Sequence, residues 1–409
     1  MSADNILAER LQGQPVPREG TAVPERAVPF WNDPGKRALL FQALLLAMLG
    51  FLIYSVVSNT LDNLESRGIT TGFSFLGDEA GFGIPLSLID YTEADSYGRT
   101  FVVGLLNTVL VSALGIVAAT LLGFLLGVAR LSDNFLVAKL SATYIEIFRN
   151  IPLLLQIFFW YFAVLQALPS PRQSLELFGG FLNVRGLSVP RPVPEAGFGL
   201  VVGALVLGIV ATLLLVRWAR RRQEATGRIF PSHWAGAGLI VGLPLLAFLV
   251  AGMPLSLDRP ELRGFNFSGG MTLLPELVAL WLALTIYTAA FIAETVRGGI
   301  LAVPGGQLEA ASALGLPKGR TLRLIVIPQA MRVIIPPLTS QYLNLTKNSS
   351  LATAIGYPDL VSVFAGTTLN QTGQAIEVIS MTMAVYLTLS LLTSLFMNGY
   401  NKRMALAER

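Results

Sequence analysis

The stretch EAASALGLPKGRTLRLIVIP, Glu309 to Pro328, lies between two strongly apolar segments. It nonetheless carries Glu309, Lys318, Arg320 and Arg323, and it is punctuated by alanine and glycine. Good helix formers and small residues fill 307–314. Gly315 then permits a left-handed turn or a close approach. Pro317 suits the first turn of a second short helix, and Pro328 precedes re-entry into apolar sequence. The pattern predicts helix, turn, helix across a membrane surface, with a shallow alanine face that another protein can approach closely. A simple amphipathic surface helix is the blander alternative.

The rest of the chain supplies the membrane. Of 409 residues, 53 % are apolar and 13 % charged, well below the charge of a soluble domain. Mean hydropathy is +0.62. The formal charge of +4 is small, which argues against nucleic acid as a partner. With no cysteine, disulfides, thiol catalysis and cysteine metal sites are excluded. The one histidine, His233, falls at the edge of an apolar run and reads as an interfacial residue. The first residues lack the apolar core of a signal peptide. Residues 1–36, with five prolines after position 14, read as an extended tail. The first apolar segment then reads as an uncleaved anchor.

A membrane helix needs about 20 mostly apolar residues. Eight segments qualify: 37–58, 100–129, 148–168, 196–217, 233–252, 272–296, 330–355 and 376–398. The seventh contains Pro336-Pro337 and a polar NLTKNSS run. Backbone breaks at membrane depth only where protein or water satisfies it. If the N-terminal tail is cytoplasmic, the inner pieces hold 21 of the 29 Lys and Arg, the outer loops seven, and Lys347 remains inside the seventh segment. This asymmetry predicts both termini inside, together with the 309–328 segment. The largest outer loop, 59–98, holds seven carboxylates and the run FSFLGDEAGFGIP. It reads as a solvated loop, with a folded cap or a docking surface as the alternatives.

Small residues let membrane helices approach. Gly115, Ala119, Gly123 and Gly127 recur every four residues in the second segment, and Thr285, Ala289 and Ala293 in the sixth. The first set suits a contact with a second chain or with the chain's own core. Ionisable groups in the bundle are costly and tend to be functional. Lys347 stands near Asn344, Asn348 and Ser349, a polar cluster suited to a zwitterion. It is about 22 Å along a helix from Arg332, in the outer half of a bilayer. Snorkelling, or satisfying broken backbone, would explain Lys347 equally well. Glu294 and Arg297, three apart, suit a structural pair.

Glu309-Ala310-Ala311, three residues, Gly315, nine residues, Ile325, one residue and Ile327-Pro328 resemble the EAA motif of bacterial ABC importer permeases, with Ile327 where leucine is usual. The runs GLLNTVLVS (104–112), YIEIFRNIPLLLQIFFWYF (144–162), FIAETVRGGILAVPGGQLEAASALGL (291–316) and PQAMRVIIPPL…LTKNSSL (328–351) are similar to the polar amino-acid branch of that family. The eight-helix layout resembles a permease of the general L-amino-acid importers.

The resemblance implies an all-α polytopic fold: a type I importer permease core over 99–402 with cytoplasmic coupling helices. An extra first helix and a 169–269 insert carrying two further helices are added to it. It implies that Glu309, Ala310, Ala311 and Gly315 belong to the ATPase-coupling loop, with Glu309 as a contact and Gly315 as its turn. The implied partners are a homologous second permease, two ATPase subunits, a periplasmic amino-acid-binding protein and membrane lipid, in the bacterial inner membrane. No G-x-x-x-x-G-K-[ST] loop occurs in the chain, so no cofactor is expected on it. ATP and Mg would bind the partner ATPase.

Two other readings remain. An ATP-independent secondary transporter would show paired intramembrane carboxylates, whereas the segments hold only Glu276, Glu294 and Glu377. A same-family importer of another small solute is the other alternative. A membrane enzyme would need a convergent acid–base or metal constellation, and none is legible.

Overall fold

A computed structural model describes residue 31 and residues 33–66, 71–177, 179–264 and 266–404. Most of the expected tail over 1–36 and the last five residues of the 403–409 tail fall outside these. The chain divides into two compact units, 1–71 and 72–409. The first contains helix α1 (Pro34–Ser66). Asp33 starts it by accepting the Gly35 amide at 2.9 Å, with proline in the first turn. The helix therefore begins three residues before the expected edge and takes in the first eight residues of the expected 59–98 loop.

The second unit is a helical bundle. Its long helices are α2 (Tyr97–Ala129), α5 (Phe198–Thr226), α6 (Ser232–Val250), α7 (Pro275–Leu301), the helical run 318–355 and α12 (Ala375–Met404). With α1, seven helices among the described residues are long and apolar enough to cross a membrane. An eighth is a bent pair, α3 (Phe135–Asn150) and α4 (Leu153–Phe158), whose second arm continues as a π-helix to Leu165.

That bend corrects the expected 148–168 helix. The arms meet at 105°, so the apolar window begins inside the last turn of α3. Proline disfavours helical backbone in the residue before it, and Ile151, before Pro152, is extended at φ −95° and ψ 125°. The freed carbonyls find a partner in Gln156, whose Nε2 donates to Phe148 O and Ile151 O, each at 3.0 Å. Tyr144 pins α3 to α7 by donating to Ile286 O at 2.9 Å.

The core forms where α2 meets α7, with the 318–355 run packed beside them. The two small-residue faces oppose one another. A Cβ on Gly123 would come within 2.6 Å of Ile292 Cβ and 3.0 Å of Ala289 O. One on Gly127 would meet Ala293 O at 2.7 Å. The glycine face of α2 therefore serves this chain's own core.

The insert carries the two expected helices and also short strands. The first four are β1 (Leu175–Leu177), β2 (Gly180–Asn183), β3 (Gly186–Val189) and β4 (Arg191–Pro194). After α6 come β5 (Leu255–Asp258), β6 (Glu261–Arg263), β7 (Asn266–Ser268) and β8 (Met271–Leu273). One antiparallel sheet runs β1-β2-β3-β8, with Leu187 opposite Leu273, and β4–β5 and β6–β7 pair separately. Strand β8 leads directly into α7, so this sheet frames the end of the bundle where α7 begins. At three or four residues each, such strands are too short to carry a readable alternation.

Residues 72–96 form a folded cap, not an open loop. Ala80 N–H bonds Asp95 O and Gly81 N–H bonds Glu93 O, each at 2.9 Å. Phe75 is buried with Tyr97, Leu360, Phe364 and Val378. Glu377 ties down the cap's first residue by accepting the Gly72 amide at 2.7 Å.

Candidate functional site

The 309–328 segment begins with α8 (Gly305–Ala313). Its closure follows from Gly315 at φ +69°. There the Gly315 amide bonds Ser312 O at 2.9 Å and the Leu316 amide bonds Ala311 O at 3.0 Å. This double bond pattern around a left-handed glycine stops a helix sharply. Ala311 is buried, whereas Leu308, Glu309, Ala310 and Leu314 are exposed. Val303, just before α8, is buried in the main core. One alanine thus seats the short helix, and the rest of its surface, with Leu308 on it and Leu314 just after it, is bare.

The expected second short helix is not separate. Helix α9 (Lys318–Thr321) starts behind Pro317 and passes through a π-helical turn, Leu322–Val326, into α10 (Ile327–Asn348). Pro328 lies inside this run and does not precede it. A π turn shifts the bonding to the wider i→i+5 pattern, and Pro328 has no N–H to place in that shift. A load on α8 would therefore reach α10 through one continuous helix, after a single glycine hinge.

Glu294 and Arg297 lie on α7, joined at 2.5 Å. The structure adds Arg130, from the end of α2, at 2.7 Å from the other Glu294 oxygen. Arg149, at the end of α3, lies over the Phe291 ring at 5.1 Å. One carboxylate thus ties the end of α2 to α7, with a third arginine one turn away. The i,i+3 spacing reveals Arg297, but nothing local to Glu294 reveals Arg130.

The residues proposed for a substrate path separate. Asn344 and Lys347 are exposed and Asn348 half-buried. Ser349 is buried and donates to Thr346 O at 2.8 Å. Of the four, Lys347 lines a cavity of about 450 Å³ with Ser350, Thr382, Tyr386 and Ser390. The Ser390 hydroxyl is buried there and has no hydrogen-bond partner among the described residues.

Behind that cavity lies a network missed in the sequence. Asp359 is fully buried and accepts the Ser362 amide at 2.9 Å and the Tyr386 hydroxyl at 3.3 Å. It caps the helical stretch of Val361–Thr368 and α11 (Leu369–Thr372). Asn107 Nδ2 donates to Leu86 O at 2.8 Å and Pro358 O at 2.9 Å. Tyr357 OH donates to Asn107 O at 2.9 Å, and Thr108 accepts the Leu360 amide at 3.0 Å. The polar pair inside GLLNTVLVS therefore holds the 356–360 turn against α2. The Asp-x-x-Ser spacing at 359–362 is the one available sequence signal.

Residues 225–406 match the family described as "Binding-protein-dependent transport system inner membrane component". The chain is 60 % identical over 378 residues to a putative amino-acid ABC transporter permease protein, YhdX, of Escherichia coli, covering 92 % of this chain and 96 % of that one. It is 53 % identical over 394 residues to the general L-amino acid transport system permease protein AapQ of Rhizobium johnstonii, covering 96 % and 98 %. It also matches two permease proteins of one glutamate/glutamine/aspartate/asparagine transport system of Rhodobacter capsulatus. BztB is 43 % identical over 410 residues, 92 % of this chain and 96 % of that one. BztC is 34 % identical over 200 residues, 48 % and 40 %. This chain belongs to the amino-acid ABC transporter permeases. It is a multi-span membrane permease of an amino-acid ABC importer, and its role is transport, not catalysis.

Proposed function

We propose that the exposed face of α8 is the surface through which a partner ATPase drives this permease. The observation that carries this reading is the geometry at 305–316. A short helix is seated by Ala311, stopped by Gly315 at φ +69°, and linked by the 314–317 turn to the continuous helical run that becomes α10. Glu309 and Ala310 lie on the bare side and Ala311 anchors the other. ATP and Mg bind the ATPase. Closure of two ATPase subunits would move α8, and α10 would carry the motion into the bundle as a two-state rocking. The 21-to-seven bias of Lys and Arg supports a cytoplasmic α8 and two cytoplasmic termini in a bacterial inner membrane.

The cap over 72–96 and the sheet that frames α7 then face the periplasm, where a binding protein would deliver L-amino acids. A second, homologous permease would complete the pathway. Two related permease proteins in one Rhodobacter capsulatus system support a pair of different chains. Lys347, which lines its cavity, offers a cation to an amino-acid carboxylate, with Asn344 and Asn348 on the same helix.

Uptake of labelled L-amino acids by cells with and without this chain, before and after ATP depletion, tests the reading. Uptake that needs both is expected. Uptake that survives ATP depletion and follows the ion gradient would sink it. Gly315→Val should leave the permease in the membrane while abolishing uptake, because the left-handed backbone costs a β-branched residue about 1–2 kcal/mol. Normal uptake by that variant would show that α8 does not transmit the drive.

A further inference from the structure

Helices α5 and α6 form a hairpin that packs on itself. Gly208 lies against Leu239 O and Gly236 against Thr212, where an added Cβ would meet neighbours at 2.6 Å in each case. Thr212 donates to Gly208 O at 2.7 Å. Among the described residues the two helices have no comparable packing against the other spans. Apart from Gly208, Ala219 and Gly236, no residue of either helix is buried.

The helices differ in length. Helix α6 has 19 residues, about 28 Å at 1.5 Å per residue, matched to a hydrocarbon core of about 30 Å. Helix α5 has 29 residues, about 43 Å, so its last turns project beyond the hydrocarbon. Those turns carry Arg217, Arg220, Arg221 and Arg222, and Arg228 follows at once, against the single Glu224. Positions 217, 220, 221 and 224 share one helix face.

Arg217, Arg220, Arg221 and Arg228 are exposed, and none has an ion-pair partner among the described residues. Arg222 instead lies over the Trp218 ring at 5.2 Å, and Trp218 packs edge-on against Phe230 at 5.5 Å. Trp218 and Trp234 are both exposed at this end. Exposed tryptophans beside a projecting basic face mark the level of lipid headgroups.

We propose that this end of the α5–α6 hairpin is a binding site for anionic phospholipid. Arg217, Arg220, Arg221 and Arg228 hold the headgroup phosphodiesters, and Trp218 and Trp234 seat the site at the interface. Guanidinium forks suit bidentate phosphate contact. The hairpin's bare apolar flanks accept the acyl chains of the same lipids. The hairpin thus anchors the permease to an anionic lipid shell, independently of what the permease transports.

The test is native mass spectrometry of the full-length chain in mild detergent, titrated with cardiolipin or with phosphatidylcholine. Wild type should retain cardiolipin preferentially. A variant carrying Arg217→Gln, Arg220→Gln, Arg221→Gln and Arg228→Gln should lose about tenfold or more of that retention, because each cation near an anionic surface contributes. Replacing the same four by lysine should restore most of it while keeping the orientation charges. Arg259→Gln with Arg263→Gln, one between β5 and β6 and the other at the end of β6, should change nothing. If the quadruple variant fails to insert, Arg220→Gln and Arg221→Gln measured singly should each lower retention. Equal retention of both lipids by wild type would overturn the proposal. So would undiminished cardiolipin retention in the glutamine variants, including the case in which they lose a co-purifying ATPase instead.

Discussion

The α2–α7 and α5–α6 pairs are both packed on glycine, and of the two only α2–α7 packs comparably against further spans among the described residues. In the α2–α7 pair, the Gly123 and Gly127 faces meet Ala289, Ile292, Ala293 and Val296. The same two helices are then tethered by polar groups. Asn107 and Thr108 hold the 356–360 turn, and Glu294 joins Arg130 to Arg297. The α5–α6 pair has equally close glycine contacts at Gly208 and Gly236. Its internal polar link is Thr212 to Gly236 O at 3.2 Å. Close packing by small residues builds either a core or a satellite. The buried hydrogen bonds and ion pairs that reach a third element decide which.

That contrast can be broken from the core side first. Gly123→Leu must push its side chain into Ile292 and the Ala289 carbonyl, and overpacking of this kind costs about 3 kcal/mol or more. Loss of the monodisperse permease peak in detergent, and of all uptake, is expected. An intact peak would show that α2 and α7 can slide apart.

Removing a tether should cost less. Asn107→Ala deletes two side-chain hydrogen bonds and strands two carbonyls, at about 2–3 kcal/mol. Faster proteolysis within 356–374 would reveal it, while the α2–α7 contact survives. Glu294→Gln leaves Arg130 and Arg297 facing a neutral amide. The group is about a quarter exposed, with 27 % of its side-chain surface open, so about 1–2 kcal/mol is lost. A lower unfolding temperature that moves with salt is the readout. No shift would mean that water already screens the cluster.

The smallest effect on transport belongs to the hairpin. Gly208→Leu should splay α5 from α6, and a cross-link between cysteines placed at Thr212 and Gly236, where a Cβ on Gly236 would lie 3.7 Å from that of Thr212, should then fail to form. Uptake should stay within about twofold of wild type, as expected where a change is remote from the working parts. A large fall in uptake would make the hairpin part of the machine.

Much was legible in the chain before folding. The spans, the small-residue faces and the 309–316 segment follow from period, composition and turn chemistry, which are local. Gly315 is an example: its left-handed φ serves a bond pattern confined to residues 311–316. The bend at Ile151–Pro152 was half visible, because proline marks it. Gln156, which satisfies the freed carbonyls, looks in the sequence like any polar residue in an apolar run. Pro328 misled for the opposite reason, since a π turn lets the helix run through it. The strands of the insert are too short to show a period.

The sequence by itself determined a many-span membrane chain with a short helix stopped by glycine at 305–316, because those features rest on contacts within about five residues. Tertiary structure alone decided which glycine face meets which helix, and that Arg130 shares Glu294. It also decided that Asp359 is buried, that Ser349 is buried, and that Lys347 reaches a cavity with Tyr386. Each of these depends on side chains brought together from distant parts of the chain, and the burial that gives them meaning exists only once the bundle is closed.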